Sequence, residues 1–127
     1  MKCKDIFKSA LRMLNEKGAE DEQDDYAERA PYILAAMFSE AARTDKLYRA
    51  AHGLGEQTSF SHTYAELDSI FPLCDRFASV SAFYLASLLL VDENDELSDS
   101  FYEKYCDGMA SISLEIPAAI ETTKNVY

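Results

Sequence analysis

The sequence predicts an all-α protein, a single-domain bundle of about four helices with an irregular C-terminal arm. Three observations lead there. Apolar residues recur at steps of three and four in separate segments, the repeat of a helix face. Only 4 Gly and 3 Pro interrupt 127 residues, which leaves little room for flexible linkers. The stretch from Leu73 to Val91 carries no charge between Arg76 and Asp92, a gap of about fifteen residues. A helix that is apolar on nearly every side must be surrounded, by its own domain or by a neighbouring subunit.

The first helix is predicted over about Lys4 to Lys17, with Ile6, Phe7, Ala10, Leu11 and Leu14 on one face. Lys4, Lys8 and Arg12 form a row on another face, either solvated surface or a contact for an acidic neighbour. Gly18 suits a helix stop, and Glu20 to Asp25 reads as an acidic loop. The second helix is expected from about Tyr26 to Arg43, extending toward Ala51. Tyr26, Ala30, Ile33, Leu34, Met37, Phe38 and Ala41 keep its period. Pro31 removes a hydrogen bond and clashes with the preceding turn, so the helix either begins just before it or bends there. Asp24, Asp25 and Glu28 suit an N-terminus, while Arg43, Lys46 and Arg49 suit a C-terminus followed by Gly53 and Gly55. The polar stretch Glu56 to Ser69 reads as a long connection, of a length that is often functional or mobile.

The central helix is predicted from Leu73 to Val91, with Pro72 near its first turn. It is too short to span a bilayer, which needs about 20 apolar residues. Ala78, Ala82 and Ala86 form a row along which another helix can approach closely. An acidic turn, Asp92 to Asp95, leads to a fourth helix from about Asp95 to Ile112. Its inward face is Leu97, Phe101, Tyr105, Met109 and Ile112, with Tyr102 and Cys106 beside it. The helical body is thus expected over 1–113. The segment 114–127 breaks the period, and its apolar residues Leu114, Ile116, Ile120, Val126 and Tyr127 are spaced too loosely for a core helix, as in a partner-docking arm or a frayed end.

The charge excludes several function classes. Twenty-three acids against 12 basic residues give a net charge of -11, which repels phosphates and anionic membrane surfaces. Fourteen of the acids lie in two stretches, Glu16 to Glu28 and Asp92 to Asp107. Cys3, Cys74 and Cys106 are odd in number, far apart and without CxxC spacing, against a disulfide scaffold or a zinc cage. The opening MKCKDIFKSAL has no apolar core of a signal peptide, so a reducing cytoplasm, or a particle assembled there, is the expected compartment.

Site motifs are sparse. Asp92, Asn94, Glu96 and Glu103 fill positions 1, 3, 5 and 12 of a calcium loop. Leu97, however, stands where that loop requires Gly, and Asp99 where it requires an apolar residue. An acidic helix N-terminus is the expected role of this run. His52 and His62 are the only histidines, both expected at the surface and neither paired at metal-ligand spacing. No Gly-x-Ser-x-Gly, no Gly-rich phosphate loop and no acid within an apolar segment is present. No cofactor and no enzymatic activity are expected. Phe77, Phe83, Tyr84, Phe101, Tyr102 and Tyr105 cluster in the last two helices. Phe83 and Tyr84 are candidates for a subunit contact.

The segment YLASLLLVDENDELSDSFYEKYCDGM, Tyr84 to Met109, resembles the C-terminal half of small phage head–tail connector (adaptor) proteins encoded in prophages of low-GC Gram-positive bacteria. Leu85, Ala86, Leu88, Leu89 and Leu90 match that family's Leu/Ala-rich helix. Asp92 to Asn94 match its acidic turn, and Phe101, Tyr102 and Tyr105 its aromatic helix. DDYAERAPYILAAMFSE, Asp24 to Glu40, looks like the family's second helix, and KDIFKSALRMLNEKG, Lys4 to Gly18, its first. The resemblance implies a subunit of a homo-oligomeric ring in the virion, assembled in the bacterial cytoplasm. Such a ring joins portal to tail-completion proteins and lines the DNA exit channel. It implies no membrane contact, and DNA that passes without specific binding. The composition agrees, since carboxylate walls repel phosphates. Head-to-tail ring contacts need two complementary patches per subunit. Lys4, Lys8 and Arg12 are expected to form one, and Asp92, Glu93, Asp95 and Glu96 the other. Two alternatives from other classes remain: an acidic DNA mimic that inhibits a host nuclease or regulator, and a cytoplasmic helical protein-interaction module.

Overall fold

The computed structural model describes residues 1–14 and 23–117. The fold is all-α, with four helices in that region: α1 (Cys3–Met13), α2 (Gln23–Ala51), α3 (Ala78–Leu90) and α4 (Asp95–Leu114). A short 3-10 turn, Asp75–Phe77, precedes α3.

As its composition requires, α3 is the central element. It packs against each of the other three helices. Nine of its 13 residues are buried, among them Val80, Tyr84, Leu85 and Leu89. Two of its serines are buried as well, and each has a bond to keep. Ser81 donates to Phe77 O within the helix (2.8 Å). Ser87 and Ser98 make a reciprocal pair between α3 and α4, each hydroxyl donating to the other residue's carbonyl at 2.8 Å. Buried hydroxyls are tolerated because they are satisfied in this way.

The start of the central helix differs from the sequence expectation. Residues 73 and 74 are not helical. Cys74 is extended (φ -69°, ψ 160°), and its amide donates to Asp45 Oδ1 at 2.9 Å. That bond holds the chain out of the helix until Asp75. The second helix reaches Ala51, the further of its expected limits, but it does not begin at Pro31: it starts at Gln23 and runs through the proline. An interior proline costs a helix about 3 kcal/mol. Here Pro31 is buried between Ala30 and Leu34, both fully buried, and its carbonyl accepts the Ala65 amide (2.9 Å). α4 continues to Leu114, two residues beyond Ile112.

The connection after α2 is tied down rather than loose. Gly53 takes a left-handed conformation (φ 66°), the usual way to end a helix. Beyond it, the Cys3 and Lys4 amides donate to Ser69 O (2.9 Å) and Leu67 O (2.7 Å). Ala65, Phe71 and Leu73 join the core, and Phe71 meets Phe38 edge-on. The connection therefore forms a wall of the fold, between the start of α1 and the flank of α2.

The helix starts explain themselves locally. At α1, Asp5 accepts the Lys2 amide (2.8 Å), which holds its carboxyl below the usual range. At α4, Asn94 accepts the Leu97 amide (3.0 Å), with Asp95 and Glu96 in the first turn.

Candidate functional site

The residues singled out from sequence fall at different places on this fold. On α1, Lys8 and Arg12 are exposed and have no carboxylate partner among the described residues. Lys4 instead pairs with Asp68 at 3.6 Å. The turn and α4 start bearing Asp92, Glu93, Asp95 and Glu96 is wholly exposed. The Tyr26 hydroxyl donates to Glu93 Oε2 (2.6 Å) and Arg29 Nη2 donates to Leu89 O (3.0 Å), which fixes the turn against α2. Among the described residues no ion pair joins the basic row to the acidic turn. Lys8, Arg12, Asp92, Asp95 and Glu96 have no ion pair among the described residues, while Glu93 is held by Tyr26.

The calcium-loop register is not a loop. From Asp95 onward its residues are helical, and Asn94 caps that helix instead of facing an ion. Among the described residues no group of three or more His, Cys, Asp and Glu is placed to hold a metal ion. No described helix is long and apolar enough to cross a membrane.

Of the two aromatic candidates, Tyr84 needs correction. Tyr84 is buried, because Tyr105 packs on it edge-on (5.0 Å between centroids) and Tyr102 closes over it (6.4 Å). It is core and offers no subunit contact. Phe83 is half-buried, stacked on Phe101, with the Lys104 ammonium 5.8 Å above its ring. Tyr105 donates to Glu40 Oε1 (2.5 Å), and burial followed by that bond pushes its phenol far above the usual range.

The arm boundary also moves. Leu114 is the last helical residue and is 87% exposed, the most exposed large apolar side chain described. Glu115 is clasped: Arg76 Nε donates to its Oε1 (2.9 Å), and the His52 ring bonds its carbonyl oxygen (2.9 Å). The guanidinium holds the Glu115 carboxyl below its ordinary value. Ile116 is half-buried, and its amide donates to Ser113 O (3.2 Å). Leu114 thus closes α4, and Glu115 and Ile116 are tied to the helical body. Ile120, Val126 and Tyr127 lie outside the described residues.

Comparison with protein families, with curated proteins and with solved structures finds no match. Three features of the fold are not among those expected from the sequence.

The first is a buried carboxylate. Asp45 is 0% exposed. It accepts from Arg49 Nε (2.8 Å), Gln57 Nε2 (2.9 Å) and the Cys74 amide (2.9 Å). Arg49 in turn donates to Gly55 O, Glu56 O and Pro72 O, each at 3.2 Å. This node staples both ends of the connection to α2. Burial, reinforced by Asp45, pushes the Cys74 thiol up to about 11. The signal was present in the sequence. Ala30, Leu34, Phe38, Ala41 and Asp45 continue one apolar stripe, and an acid on such a stripe is inside.

The second feature is a groove of about 600 Å³ between the C-terminal half of α2 and residues 54–62. Its apolar side chains are Leu54 and Phe60, and its charged rim has Lys46 and Glu56. Lys46 has no carboxylate partner among the described residues. At the edge of the groove Ser39 Oγ lies 2.7 Å from His62 Nδ1. Ser39 also donates to Ala35 O (3.0 Å). Its one proton is then used, and the imidazole donates to the serine, the reverse of what a general base does. No carboxylate backs the His62 ring among the described residues.

The third is an exposed apolar strip. Tyr32 (61% exposed) and Tyr64 meet edge-on at 4.9 Å. Tyr64 and Ile70 (68% exposed) line one shallow cleft, and Met1 O accepts the Phe71 amide beside it. Large exposed apolar side chains that touch one another are the mark of a contact surface.

Proposed function

We propose that the protein is a structural assembly subunit: the adaptor of a phage head–tail connector ring, joining portal to tail and lining the DNA exit channel. One observation carries this reading beyond the sequence resemblance. The helical body presents two charged patches of opposite sign, Lys8 and Arg12 on α1 and Asp92, Glu93, Asp95 and Glu96 at the α3–α4 turn, and among the described residues no ion pair joins them. Head-to-tail closure of a ring needs two such surfaces on each copy. The resembling segment, Tyr84 to Met109, spans most of the α3–turn–α4 hairpin. That hairpin is held by the Ser87–Ser98 pair and capped by Asn94. Firm backbone positions suit a subunit whose work is to hold a register. Lys4 takes a lesser part than the sequence suggests, because Asp68 already engages it.

The excess of carboxylates serves the channel role. A wall that repels phosphates lets DNA slide, whereas basic walls would hold it by counterion release.

The test is assembly of the purified chain, followed by sedimentation velocity and negative-stain microscopy at low and high salt. Wild type forms closed rings at low salt, and the variant K8E/R12E remains a monomer with unchanged circular dichroism. Restoring rings by adding D92K/E93K to that variant identifies the two patches as partners. Rings formed equally well by K8E/R12E would remove the pairing.

A further inference from the structure

We propose that the groove between the C-terminal half of α2 and residues 54–62 binds an extended peptide segment of a partner protein, one that carries a single carboxylate beside large apolar side chains. The proposal does not depend on the connector reading.

The surface is longer than one groove. The groove of about 600 Å³ and a second cleft of about 340 Å³ share Thr58, Ser59 and Phe60 as a common wall. Leu54 lines the first, and Tyr64 and Ile70 line the second. Tyr32 meets Tyr64 edge-on. Eight large apolar side chains are exposed among the described residues, and these four gather on this one surface, which marks it as a contact face. Two clefts joined by a wall offer more than a compact ligand needs. An extended chain turns alternate side chains to one side, and so sets one apolar side chain in each cleft.

The polar groups define what else the peptide carries. Lys46 is exposed and has no carboxylate partner among the described residues. In a chain of net charge -11, this cation beside apolar walls is the complement of a carboxylate. Glu56 and Glu66 stand on the same surface and repel further acids, so one carboxylate matches and an acidic run does not. Arg49 does not compete for it, being taken by Asp45 and by three backbone carbonyls. His62 supplies an acceptor. Ser39 uses its proton on Ala35 O, so the ring donates from Nδ1 to Ser39 Oγ. The neutral imidazole then keeps a lone pair on Nε2, which a peptide N–H can fill. The walls are also preformed. Gln57 Nε2 donates to Ala42 O and to Asp45 Oδ2 (both 2.9 Å), and Arg49 fixes Gly55 and Glu56. A wall set before binding lowers the ordering cost of docking.

The probe is a phage-displayed library of random twelve-residue peptides, panned against the full chain with L54D as counter-selection. Enriched peptides are expected to pair one Asp or Glu with aromatic or branched apolar residues. The best of them, synthesised and titrated into the isotope-labelled chain, should shift the amides of residues 46 and 54–62. Leu54 (46% exposed) and Lys46 are surface side chains, so L54D and K46E keep the fold by circular dichroism. K46E should weaken the peptide about tenfold, the loss expected for one charge-assisted hydrogen bond. The peptide with its acid changed to Lys should recover that loss on K46E, and K8E/R12E should bind as wild type does. No enrichment over the L54D bait would overturn the proposal, as would selected peptides indifferent to K46E. Groove shifts that appear on concentrating the chain without peptide would overturn it too, by making the occupant a second copy.

Discussion

Replacing Gly108 by alanine tests how closely α3 and α4 approach. A Cβ built on Gly108 would sit against Val80 Cγ1 at less than any normal carbon–carbon contact. Val80 is 2% exposed and lies in the first turn of α3, packed within the core. Its branched side chain is held to one rotamer in a helix and has nowhere to turn. Two effects compete. Alanine gains up to about 1 kcal/mol over glycine from helix propensity alone. Forcing a methyl into a packed interior costs about 1–3 kcal/mol. Because the obstructing atom belongs to a stiff buried side chain, the second effect wins. G108A is expected to be less stable by about 1–2 kcal/mol, a fall in Tm of roughly 5 °C for a chain of this length. Urea unfolding followed by circular dichroism gives the number. V80A should remove the clash, so that in the double variant the alanine at 108 is neutral or stabilising, a coupling of more than about 1 kcal/mol in a double-mutant cycle. If G108A alone is about 1 kcal/mol more stable than wild type, the helices are not in contact there and the packing argument fails.

Further predictions concern the polar groups. D45A strands Arg49, Gln57 and the Cys74 amide and is expected to cost about 3–5 kcal/mol in urea unfolding; a cost below about 1 kcal/mol would show that the node is not buried in solution. S87A and S98A each lose one buried hydrogen bond and should each cost about 1 kcal/mol, with the double variant giving less than the sum; strict additivity would separate the two bonds. The Glu115 clasp has a defined pH dependence. Arg76 lowers the Glu115 carboxyl below its ordinary value, so its contribution is complete above about pH 4.5 and is lost as pH falls through the folded-state value. Amide protection at Glu115 and Ile116, taken relative to the intrinsic exchange rate at each pH, should therefore fall in acid, and R76Q should abolish that dependence. An acid response that persists in R76Q would assign it to another group.

Most of the fold was legible because burial leaves a period in the sequence. α1 and α4 start within a residue of their expected positions, and the uncharged stretch is the central element that it was read to be. The misses have particular causes. The central helix starts late because Asp45, a residue 29 positions away, captures the Cys74 amide. No local pattern records such a bond. Pro31 is carried through α2 because its neighbours are buried and the connection takes its carbonyl. The connection itself looked loose because its composition is polar, yet its order comes from backbone bonds to α1, to which side-chain patterns are blind. Tyr84 was read as a contact residue because aromatic excess implied uncovered surface. Tyr102 and Tyr105 cover it within the chain. The burial of Asp45 is legible in the sequence, because it continues the apolar stripe of α2. The groove and the apolar strip are not legible in the sequence, because each depends on how residues 54–70 fold back along α2.

The central claim, assembly into a connector ring, is tested most directly by affinity capture of the tagged full-length chain from its host after prophage induction, with mass spectrometry of what co-purifies. Portal and tail-completion proteins at near-stoichiometric levels, lost together with particle attachment in K8E/R12E, are the predicted result. Capture of a host nuclease or transcription regulator in their place would contradict the claim and make the carboxylates of the α3–α4 turn an inhibitory surface.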